Sequence, residues 1–228
     1  ESYLVFLEKM LEMSGRGLQF LMKIKELLLK NKLLPLATIY ENEDIAGISK
    51  ALVDADCSAL EVTLRDARVR DTLHLFQDHP NLAIGLGTIR SKDDIDLALS
   101  SKVAFGITPG LSVSLCEYAK YMNFNLIPGV QSASEIMLAS ELGYSLLKFF
   151  PAEISGGANK LKAIQSVFPD ISFIPTGGVN ESNFDSYLNL ENVICVGSSD
   201  LISSKLLSEK DWEGISLNIN RIKNNLCK

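Results

Sequence analysis

The sequence predicts an α/β fold, a (βα)8 TIM barrel, from a rhythm that repeats along most of the chain. From Leu33 onward, short apolar runs are followed by loops with Gly, Pro, Thr or Ser and then by segments of helical period. The centres of the runs recur at roughly 21–26 residues, the length of one βα unit in a barrel of about 250 residues or fewer. Strands that alternate with helices pair in parallel, because each crossover between them needs a helix.

The predicted strands cover the apolar runs 33–39, 59–63, 82–87, 103–107, 125–127, 146–150, 172–175 and 193–196. The helical segments between them include 44–53, 93–99, 132–142 and 159–167. An open doubly wound sheet is the alternative arrangement. The first βα turn, Thr38-Ile39-Tyr40-Glu41-Asn42, argues against that alternative because it lacks the glycine fingerprint that binds dinucleotide phosphates.

The chain divides into an N-terminal segment, residues 1–21, and a single barrel domain, residues 22–228. The first segment carries several charges and lacks the basic start and uninterrupted apolar stretch of a secretory signal, so we interpret it as a natural or added extension. An amphipathic helix is predicted to begin at Met22 and to close the bottom of the barrel. No linker or low-complexity stretch divides the rest of the chain.

The composition is that of an ordinary globular protein, with 46% hydrophobic and 22% charged residues. A net charge of -6 and scattered basic residues argue against a nucleic-acid partner. No apolar run approaches the roughly 18 residues of a membrane span. Neither CxxC nor metal-ligand spacing is shown by the four cysteines, Cys57, Cys116, Cys195 and Cys227. We therefore expect a cytoplasmic protein with no metal and no cofactor.

A lysine inside the sixth predicted strand is the most unusual feature of the chain. Lys148 lies in the apolar run Leu146-Leu147-Lys148-Phe149-Phe150, which ends at Pro151. An ammonium taken out of water is costly unless it is paired or neutralised, and a neutral lysine is a nucleophile. Strand alternation puts Lys148 and Phe150 on the same face. From this strand alone, two interpretations stay open: a lysine that reaches solvent at the strand end, and a catalytic nucleophile.

The ends of the second and third strands offer polar groups beside an apolar interior. Alternation puts Glu61 and Thr63 on one face, and Arg65 continues that side into the loop. Glu61 can act as a general acid or base and Arg65 can hold a carboxylate, although an Arg–Glu pair that ties the loop explains the same pattern. The third strand ends in Gly85-Leu86-Gly87-Thr88, where the glycines allow close packing or ligand approach and Thr88 adds a hydroxyl.

Small residues follow the last two strands, where barrels commonly bind phosphate through backbone N–H groups. The seventh strand ends in Thr176-Gly177-Gly178 and the eighth in Gly197-Ser198-Ser199. A plain turn explains a lone Gly-Gly equally well, but two such loops at neighbouring positions favour a phosphate site. His74 and His79 fall in a polar helix and its exit, which favours surface roles over catalysis. The sequence shows no Ser-His-Asp set.

Five motifs, taken in order, resemble those of one enzyme family. They are Leu60-Glu61-Val62-Thr63-Leu64-Arg65, Gly85-Leu86-Gly87-Thr88, Ile107-Thr108-Pro109-Gly110, Lys148-Phe149-Phe150-Pro151-Ala152-Glu153 and Pro175-Thr176-Gly177-Gly178. From about Leu33 to about Leu201, the chain resembles the 2-keto-3-deoxy-6-phosphogluconate (KDPG) and 4-hydroxy-2-oxoglutarate (KHG) aldolases. The resemblance implies a class I aldolase of Entner–Doudoroff carbohydrate metabolism on a (βα)8 barrel, usually a homotrimer, that releases pyruvate without a metal.

The resemblance also implies roles for individual residues. Lys148 is the expected Schiff-base lysine, and Glu61 is the expected proton shuttle. Arg65 and Thr88 are expected to hold the carboxylate of pyruvate, and Phe150 to lie beside the pyruvyl group. The residues expected around the distal phosphate are Thr176, Gly177, Gly178, Gly197, Ser198 and Ser199.

Two departures from the family pattern concern the phosphate loop. Ser198 stands where the family often has glycine, and Asp200, whose charge repels a phosphate, stands where relatives often have an apolar aromatic residue. The preferred substrate therefore stays open between KDPG, its galacto epimer 2-keto-3-deoxy-6-phosphogalactonate, and KHG. Two other functions also stay open: a phosphate-binding barrel isomerase or synthase without imine chemistry, and a non-catalytic binding barrel.

Overall fold

The computed structural model describes residues 22–39 and 41–226 and shows an α/β fold whose strands pair in parallel. The predicted extension, residues 1–21, lies outside the described residues, so the domain boundary at residue 22 stays a prediction. Within the described ranges, every helix is too short or too polar to cross a membrane.

Nine strand segments are present in the described part of the chain, and they follow the predicted apolar runs closely. They are β1 (Leu33–Ala37), β2 (Ala59–Thr63), β3 (Ala83–Gly87), β4 (Phe105–Ile107), β5 (Leu126–Ile127), β6 (Gly129–Val130), β7 (Leu146–Phe149), β8 (Ser172–Pro175) and β9 (Val196–Ser198). The last strand begins where the predicted run 193–196 ends, because Val193 makes only an isolated bridge to Phe173.

Helices follow most of these strands. They are α1 (residues 22–31), α2 (Asn42–Asp54), α3 (Val69–Thr72), α4 (Lys92–Ser100), α5 (Val113–Tyr121), α6 (Ala133–Glu141), α7 (Gly157–Gln165), α8 (Phe184–Leu188), α9 (Ser204–Ser208) and α10 (Trp212–Leu226). Short 3-10 helices cover Leu73–Asp78, Glu153–Ser155 and Asp200–Ile202.

The strands form two curled parallel sheets rather than the single closed eight-stranded ladder that was predicted. One sheet has the order β5-β4-β3-β2-β1-β9 and the other the order β6-β7-β8. At one junction, Pro128 separates β5 from β6, because proline has no N–H to donate to a ladder. At the other junction, β8 and β9 are linked through an isolated bridge between Thr176 and Gly197. The predicted α/β fold with parallel strands is thus confirmed, whereas the described strands form two sheets and not one closed ladder.

The inner face of the sheets is filled by one apolar cluster, in which Leu36, Phe105 and Ile174 are almost fully buried. Helix α1 contributes Ile24 and Leu28 to this cluster. Its other members include small residues at the amino-terminal ends of the strands, such as Ala59. The first helix therefore packs on the same apolar cluster as the inner faces of the strands, and its closing of the bottom of the barrel stays a prediction.

Two of the outer helices begin with reciprocal capping boxes. Ser91 accepts a hydrogen bond from the backbone of Asp94 at the start of α4, and the Asp94 carboxylate accepts from the Ser91 backbone. Ser132 and Glu135 repeat the arrangement at the start of α6. A reciprocal cap satisfies two backbone donors that the helix leaves unpaired, so these boxes determine where the two helices begin.

Candidate active site

A lysine and a glutamate meet inside the two sheets. Lys148 is on β7 and Glu61 is on β2, which belong to different sheets. The Lys148 Nζ atom donates a hydrogen bond to Glu61 Oε1 over 3.1 Å. Lys148 is 5% exposed and Glu61 is 1% exposed, so both charged groups are withdrawn from water. Two buried charges of this kind are tolerated only because each compensates the other.

The Lys148 side chain also lies close to an aromatic ring. Its Nζ atom is 5.3 Å from the centroid of the Phe150 ring, a distance at which the ring attracts a cation. Phe150 is half-buried and lines a cavity at the carboxyl ends of the strands. The strand alternation predicted from the sequence therefore does put Lys148 and Phe150 on one face.

Glu61 is placed by its neighbour on β3. A Cβ atom added to Gly87 would lie 2.1 Å from Glu61 Oε1, so only glycine leaves room for this carboxylate. The second carboxylate oxygen, Oε2, is buried and has no hydrogen-bond partner among the described residues. The charge of Glu61 also contributes to raising the pKa of the Cys195 thiol, although burial is the larger cause. Glu61 therefore has one oxygen on Lys148 and one oxygen that is unpaired.

A cavity of about 650 Å³ lies above this pair. Of the residues predicted to form the site, the cavity wall contains Arg65, Phe150, Thr176, Gly177, Gly178, Gly197 and Ser199. Lys148 and Glu61 do not line it; they lie beneath Phe150 and Thr63, their neighbours on the same strand faces, which do. The structure thus brings most of the predicted residues to one cavity, with the buried pair under it.

Arg65 is exposed and lines the cavity without an ion-pair partner in residues 22–39 and 41–226. The alternative interpretation, in which Arg65 pairs with Glu61 to tie the loop, is wrong, because Glu61 pairs with Lys148 instead. Among the described residues no carboxylate pairs with this guanidinium, and its planar fork of donors suits the carboxylate of a ligand.

Two threonines form a hydroxyl pair in the cavity wall. Thr38 Oγ1 lies 2.7 Å from Thr63 Oγ1, within hydrogen-bond distance. Thr63 also donates to the carbonyl of Ala37 over 3.4 Å. Across β9 from this pair, Thr176 Oγ1 is buried and unpartnered among the described residues, and a Cβ on Gly197 would lie 2.4 Å from it. Thr176 therefore retains a donor and lone pairs for a ligand.

The loop after β8 has the backbone form that its sequence suggests. Gly177 and Gly178 have φ angles of +95° and +76°, a region that favours glycine. The loop after β7 is bonded to it, since the Ala152 and Glu153 N–H groups donate to the carbonyls of Thr176 and Gly177. The loop that follows the lysine strand is thereby tied to the predicted phosphate loop.

Besides the buried pair, two more predicted residues, Ser198 and Thr88, do not reach the cavity wall. Ser198 is buried, and its hydroxyl donates to the Val179 carbonyl over 2.7 Å and accepts from the Asp200 N–H over 3.2 Å. Thr88 is half-buried with a φ angle of +65° and lies outside the wall. Asp200 is exposed and is also outside the wall. Neither Ser198 nor Asp200 lines the cavity, so neither gives a geometric reason against phosphate binding there.

Sequence reasoning missed one side of the cavity. The wall there is formed by Glu41 and Asp44 near the start of α2, by residues of α9, and by Lys210. Lys210 Nζ donates to Glu43 over 2.9 Å and lies 3.5 Å from carboxylate oxygens of Glu41 and Asp44. The hydrogen bond to Glu43 raises the pKa of Lys210 and lowers the pKa of Glu43. These residues are far apart in sequence, so only the charge pattern Glu41-x-Glu43-Asp44 could have drawn attention to them.

The described residues contain no group of three His, Cys, Asp or Glu side chains that could hold a metal ion. Burial raises the pKa of the Cys57 thiol to about 11 and also raises the pKa values of Cys116 and Cys195. A thiol with a raised pKa is a poor nucleophile. His74 is exposed and His79 half-buried, both away from the cavity wall. The buried lysine is therefore the best-placed nucleophile of the described residues.

The sequence of this chain is similar to those of known aldolases. The family model described as KDPG and KHG aldolase matches residues 24–217. A 2-dehydro-3-deoxy-phosphogluconate aldolase from Pseudomonas aeruginosa is 40% identical over 191 residues, which cover 83% of this chain and 87% of that protein.

Solved structures of such enzymes are also similar to this chain. The KDPG aldolase of Legionella pneumophila, with pyruvate captured as a covalent carbinolamine intermediate, is 34% identical with a TM-score of 0.84, over 87% of this chain and 97% of that one. The aldolase of Zymomonas mobilis ZM4 with 3-phosphoglycerate is 31% identical with a TM-score of 0.82, over 87% of this chain and 94% of that one.

Proposed function

The chain belongs to the KDPG and KHG aldolase family, and on that premise we propose that Lys148 is its Schiff-base residue. The enzyme is a carbon–carbon lyase of class I. Its reaction is the cleavage of KDPG to pyruvate and glyceraldehyde 3-phosphate, of KHG to pyruvate and glyoxylate, or of both.

The observation that carries the assignment is the buried contact of 3.1 Å between Lys148 and Glu61. Attack on a keto carbon needs a neutral amine, whereas a lysine in water is almost always protonated at pH 7. In a buried pair, transfer of one proton from Nζ to Oε1 turns two poorly solvated charges into two neutral groups. The same transfer supplies the nucleophile on Lys148 and the general acid on Glu61.

The reaction then follows from these two groups. The Lys148 amine adds to the keto carbon to form a carbinolamine, and a proton from Glu61 allows the hydroxyl to leave as water. The resulting protonated imine accepts the electron pair of the C3–C4 bond when that bond breaks. At the same time Glu61, now a carboxylate, takes the proton of the C4 hydroxyl, directly or through a water, so that C4 becomes the carbonyl of the aldehyde product and that product leaves. Glu61, directly or through a water, then returns a proton to C3, and hydrolysis releases pyruvate and the free lysine.

The remaining predicted residues position the substrate. Arg65 holds the carboxylate of the keto acid, which directs the keto carbon toward Lys148. Phe150 covers the pyruvyl group. Thr88 follows β3, the strand next to that of Arg65, and is proposed as a second hydrogen-bond donor to the same carboxylate.

The distal end of the substrate is proposed to lie between the loops that follow β8 and β9. The backbone N–H groups of Gly177, Gly178 and Gly197 suit phosphate oxygens because no side chain obstructs them. Ser199 adds a hydroxyl at the wall. The bound 3-phosphoglycerate of the Zymomonas enzyme supports a phosphorylated ligand in this family. Ser198 contributes by supporting the loop backbone.

Three further features are proposed with the function. The two curled sheets are proposed to act as one closed (βα)8 barrel. The enzyme is proposed to assemble as a homotrimer, as the family resemblance implies, and to act in the cytoplasm without a cofactor. Light scattering of the purified protein measures its oligomeric state directly. A mass near three chains supports the trimer, and a mass near one chain contradicts it.

Pyruvate release from KDPG and from KHG tests the proposed function. Lys148→Met is expected to abolish release from both substrates, while Glu61→Gln slows turnover by about a hundredfold or more and leaves pyruvate binding nearly intact. Lys162→Met, an exposed lysine of α7, is the matched control and should retain full activity. Chelator treatment should leave the rate unchanged. Full activity of Lys148→Met, or a requirement for metal, would contradict the proposal.

A further inference from the structure

The loop after β8 presents a row of unpaired backbone donors at the cavity. Gly177, Gly178 and Val179 all line the cavity wall. Among the described residues, none of their three N–H groups has a hydrogen-bond acceptor. Such N–H groups can bind phosphate oxygens only if the peptides that carry them keep the right orientation, so the neighbours that fix these peptides matter for binding.

The orientation of these peptides is fixed through their carbonyl groups. The Thr176 carbonyl accepts a hydrogen bond from the Ala152 N–H over 2.8 Å, and the Gly177 carbonyl accepts from the Glu153 N–H over 3.1 Å. The C=O and the N–H of a planar trans peptide point in opposite directions. The Glu153 backbone therefore fixes the direction of the Gly178 N–H. Without this bond, the flexible Gly177–Gly178 peptide could turn its carbonyl toward the ligand.

The side chain of Glu153 contacts the same loop and a buried tyrosine beyond it. Glu153 Oε1 accepts a hydrogen bond from the hydroxyl of Tyr187, a residue of α8 that is 0% exposed. A Cβ atom added to Gly178 would lie 2.8 Å from Glu153 Cβ and Cγ, so the stem of Glu153 lies directly against the loop backbone. Burial and the hydrogen bond to Glu153 both raise the pKa of Tyr187, so its hydroxyl stays protonated and donates.

We propose that Glu153 and Tyr187 are positioning residues for the phosphate of the substrate. Their hydrogen bond keeps Glu153 against the loop after β8, and Glu153 keeps the Gly178 N–H directed at the phosphate. Neither side chain lines the cavity, so both act through the loop. This proposal rests on the proposed aldolase function and extends its phosphate site to two residues that do not touch the ligand.

Tyr187→Phe tests the proposal because it removes one hydroxyl and keeps the buried ring. KM for KDPG is expected to rise about tenfold, the effect of losing one hydrogen bond to a charged group, while kcat changes less than threefold. The reference without phosphate is the exchange of the C3 protons of pyruvate for deuterium in D2O. This exchange needs Lys148 and Glu61 but no distal group, so its rate should stay within twofold of wild type.

Variants of Glu153 separate the hydrogen bond from the residue itself. Glu153→Gln keeps an oxygen that can accept from Tyr187, so its KM for KDPG should stay within threefold of wild type. Glu153→Ala removes the acceptor and should raise KM about as much as Tyr187→Phe does. The double variant Glu153→Ala with Tyr187→Phe should be no worse than either single variant, because both substitutions break the same contact.

Tyr144→Phe is the matched control. Tyr144 is also buried, at 8% exposed, and its hydroxyl donates to the Cys116 carbonyl over 2.9 Å. It does not line the cavity. The substitution thus removes a buried tyrosine hydroxyl bond elsewhere in the fold, and KM for KDPG should stay within twofold of wild type.

The proposal is overturned if Tyr187→Phe and Glu153→Ala leave KM for KDPG within twofold of wild type. It is also overturned if KDPG cleavage and pyruvate exchange decline together, or if Tyr144→Phe raises KM as much as Tyr187→Phe does. Should Tyr187→Phe fail to fold, Glu153→Ala, at an exposed position, decides alone. A wild-type enzyme that exchanges pyruvate protons without cleaving KDPG overturns the proposal, whereas absence of pyruvate trapping on Lys148 in the wild type refutes the aldolase function.

Discussion

The buried pair of Lys148 and Glu61 makes a thermodynamic prediction that does not depend on any substrate. Lys148→Met leaves the Glu61 carboxylate buried without the one hydrogen bond it accepts among the described residues, and Glu61→Met leaves a buried ammonium without a counter-ion. Breaking a buried pair from one side costs about 3–5 kcal/mol of the free energy of unfolding. The double variant removes both charges and fills the same space with apolar groups. It should therefore be within about 1 kcal/mol of wild type, or more stable.

The coupling energy between the two sites is the decisive quantity. If the singles cost about 3–5 kcal/mol each and the double is within about 1 kcal/mol of wild type, the coupling energy is about 5 kcal/mol or more. Urea unfolding at pH 7 measures it, with the fluorescence of Trp212, the only tryptophan of the chain, as the probe. The protein concentration is kept constant because assembly shifts apparent stability.

Lys50→Met is the control for the same substitution at the surface. Lys50 pairs with Asp54 on the exposed face of α2, and exposed pairs contribute at most about 1 kcal/mol. Additive effects of Lys148→Met and Glu61→Met, or single effects as small as that of Lys50→Met, would refute a buried, mutually dependent pair.

Two further variants test how the structure positions the site and begins its helices. Gly87→Ala should lower kcat by about tenfold or more while the fold is retained, because the added Cβ would lie 2.1 Å from Glu61 Oε1 and displace the carboxylate from Lys148; pyruvate release measures it. Asp94→Asn should cost about 1 kcal/mol at pH 7 in urea unfolding. Burial alone would raise the pKa of Asp94, but hydrogen bonds from the Arg90 backbone, Ser91 and Arg70 lower it. This stability is thus present above the unfolded pKa of about 3.9 and is lost as the pH falls through the folded pKa.

Each of these variants has a control on the same kind of element. Gly110→Ala places a Cβ in open space and should leave both activity and stability unchanged. Asp93→Asn removes an exposed charge from the same first turn of α4 and should retain the acid dependence of wild type. Equal loss of activity in Gly110→Ala, or no change in acid stability for Asp94→Asn, would contradict the two explanations.

Local periodicity was sufficient to predict most of the strands and the faces of Glu61 and Lys148, but it did not predict that these two side chains pair. Alternation along a strand depends only on neighbouring residues, so it placed Glu61 and Lys148 on inner faces without knowledge of the fold. The break between β5 and β6 can also be explained from the sequence, because Pro128 lacks the N–H that a continuous ladder needs. The continuation of pairing to Val130 was missed because Gly129 interrupts the apolar run.

The side of the cavity that contains Glu41, Asp44 and Lys210 could not be predicted in this way. Its residues come from the loop after β1, from α2 and from the turn before α10, and the sequence alone does not indicate that they meet. Charges in the first turn of a helix are explained equally well by the helix dipole. The orientation of Ser198 was equally inaccessible, because a serine in a loop can face either the cavity or the Val179 carbonyl, and tertiary packing decides between them.

Reductive trapping with pyruvate tests the central claim most directly. Incubation with pyruvate and borohydride reduces an imine to a stable amine, and peptide mass spectrometry then locates the adduct. The account predicts one pyruvyl adduct per chain, on Lys148, and none in Lys148→Met. An unlabelled protein, or an adduct on another lysine, would contradict the assignment of Lys148 as the covalent centre.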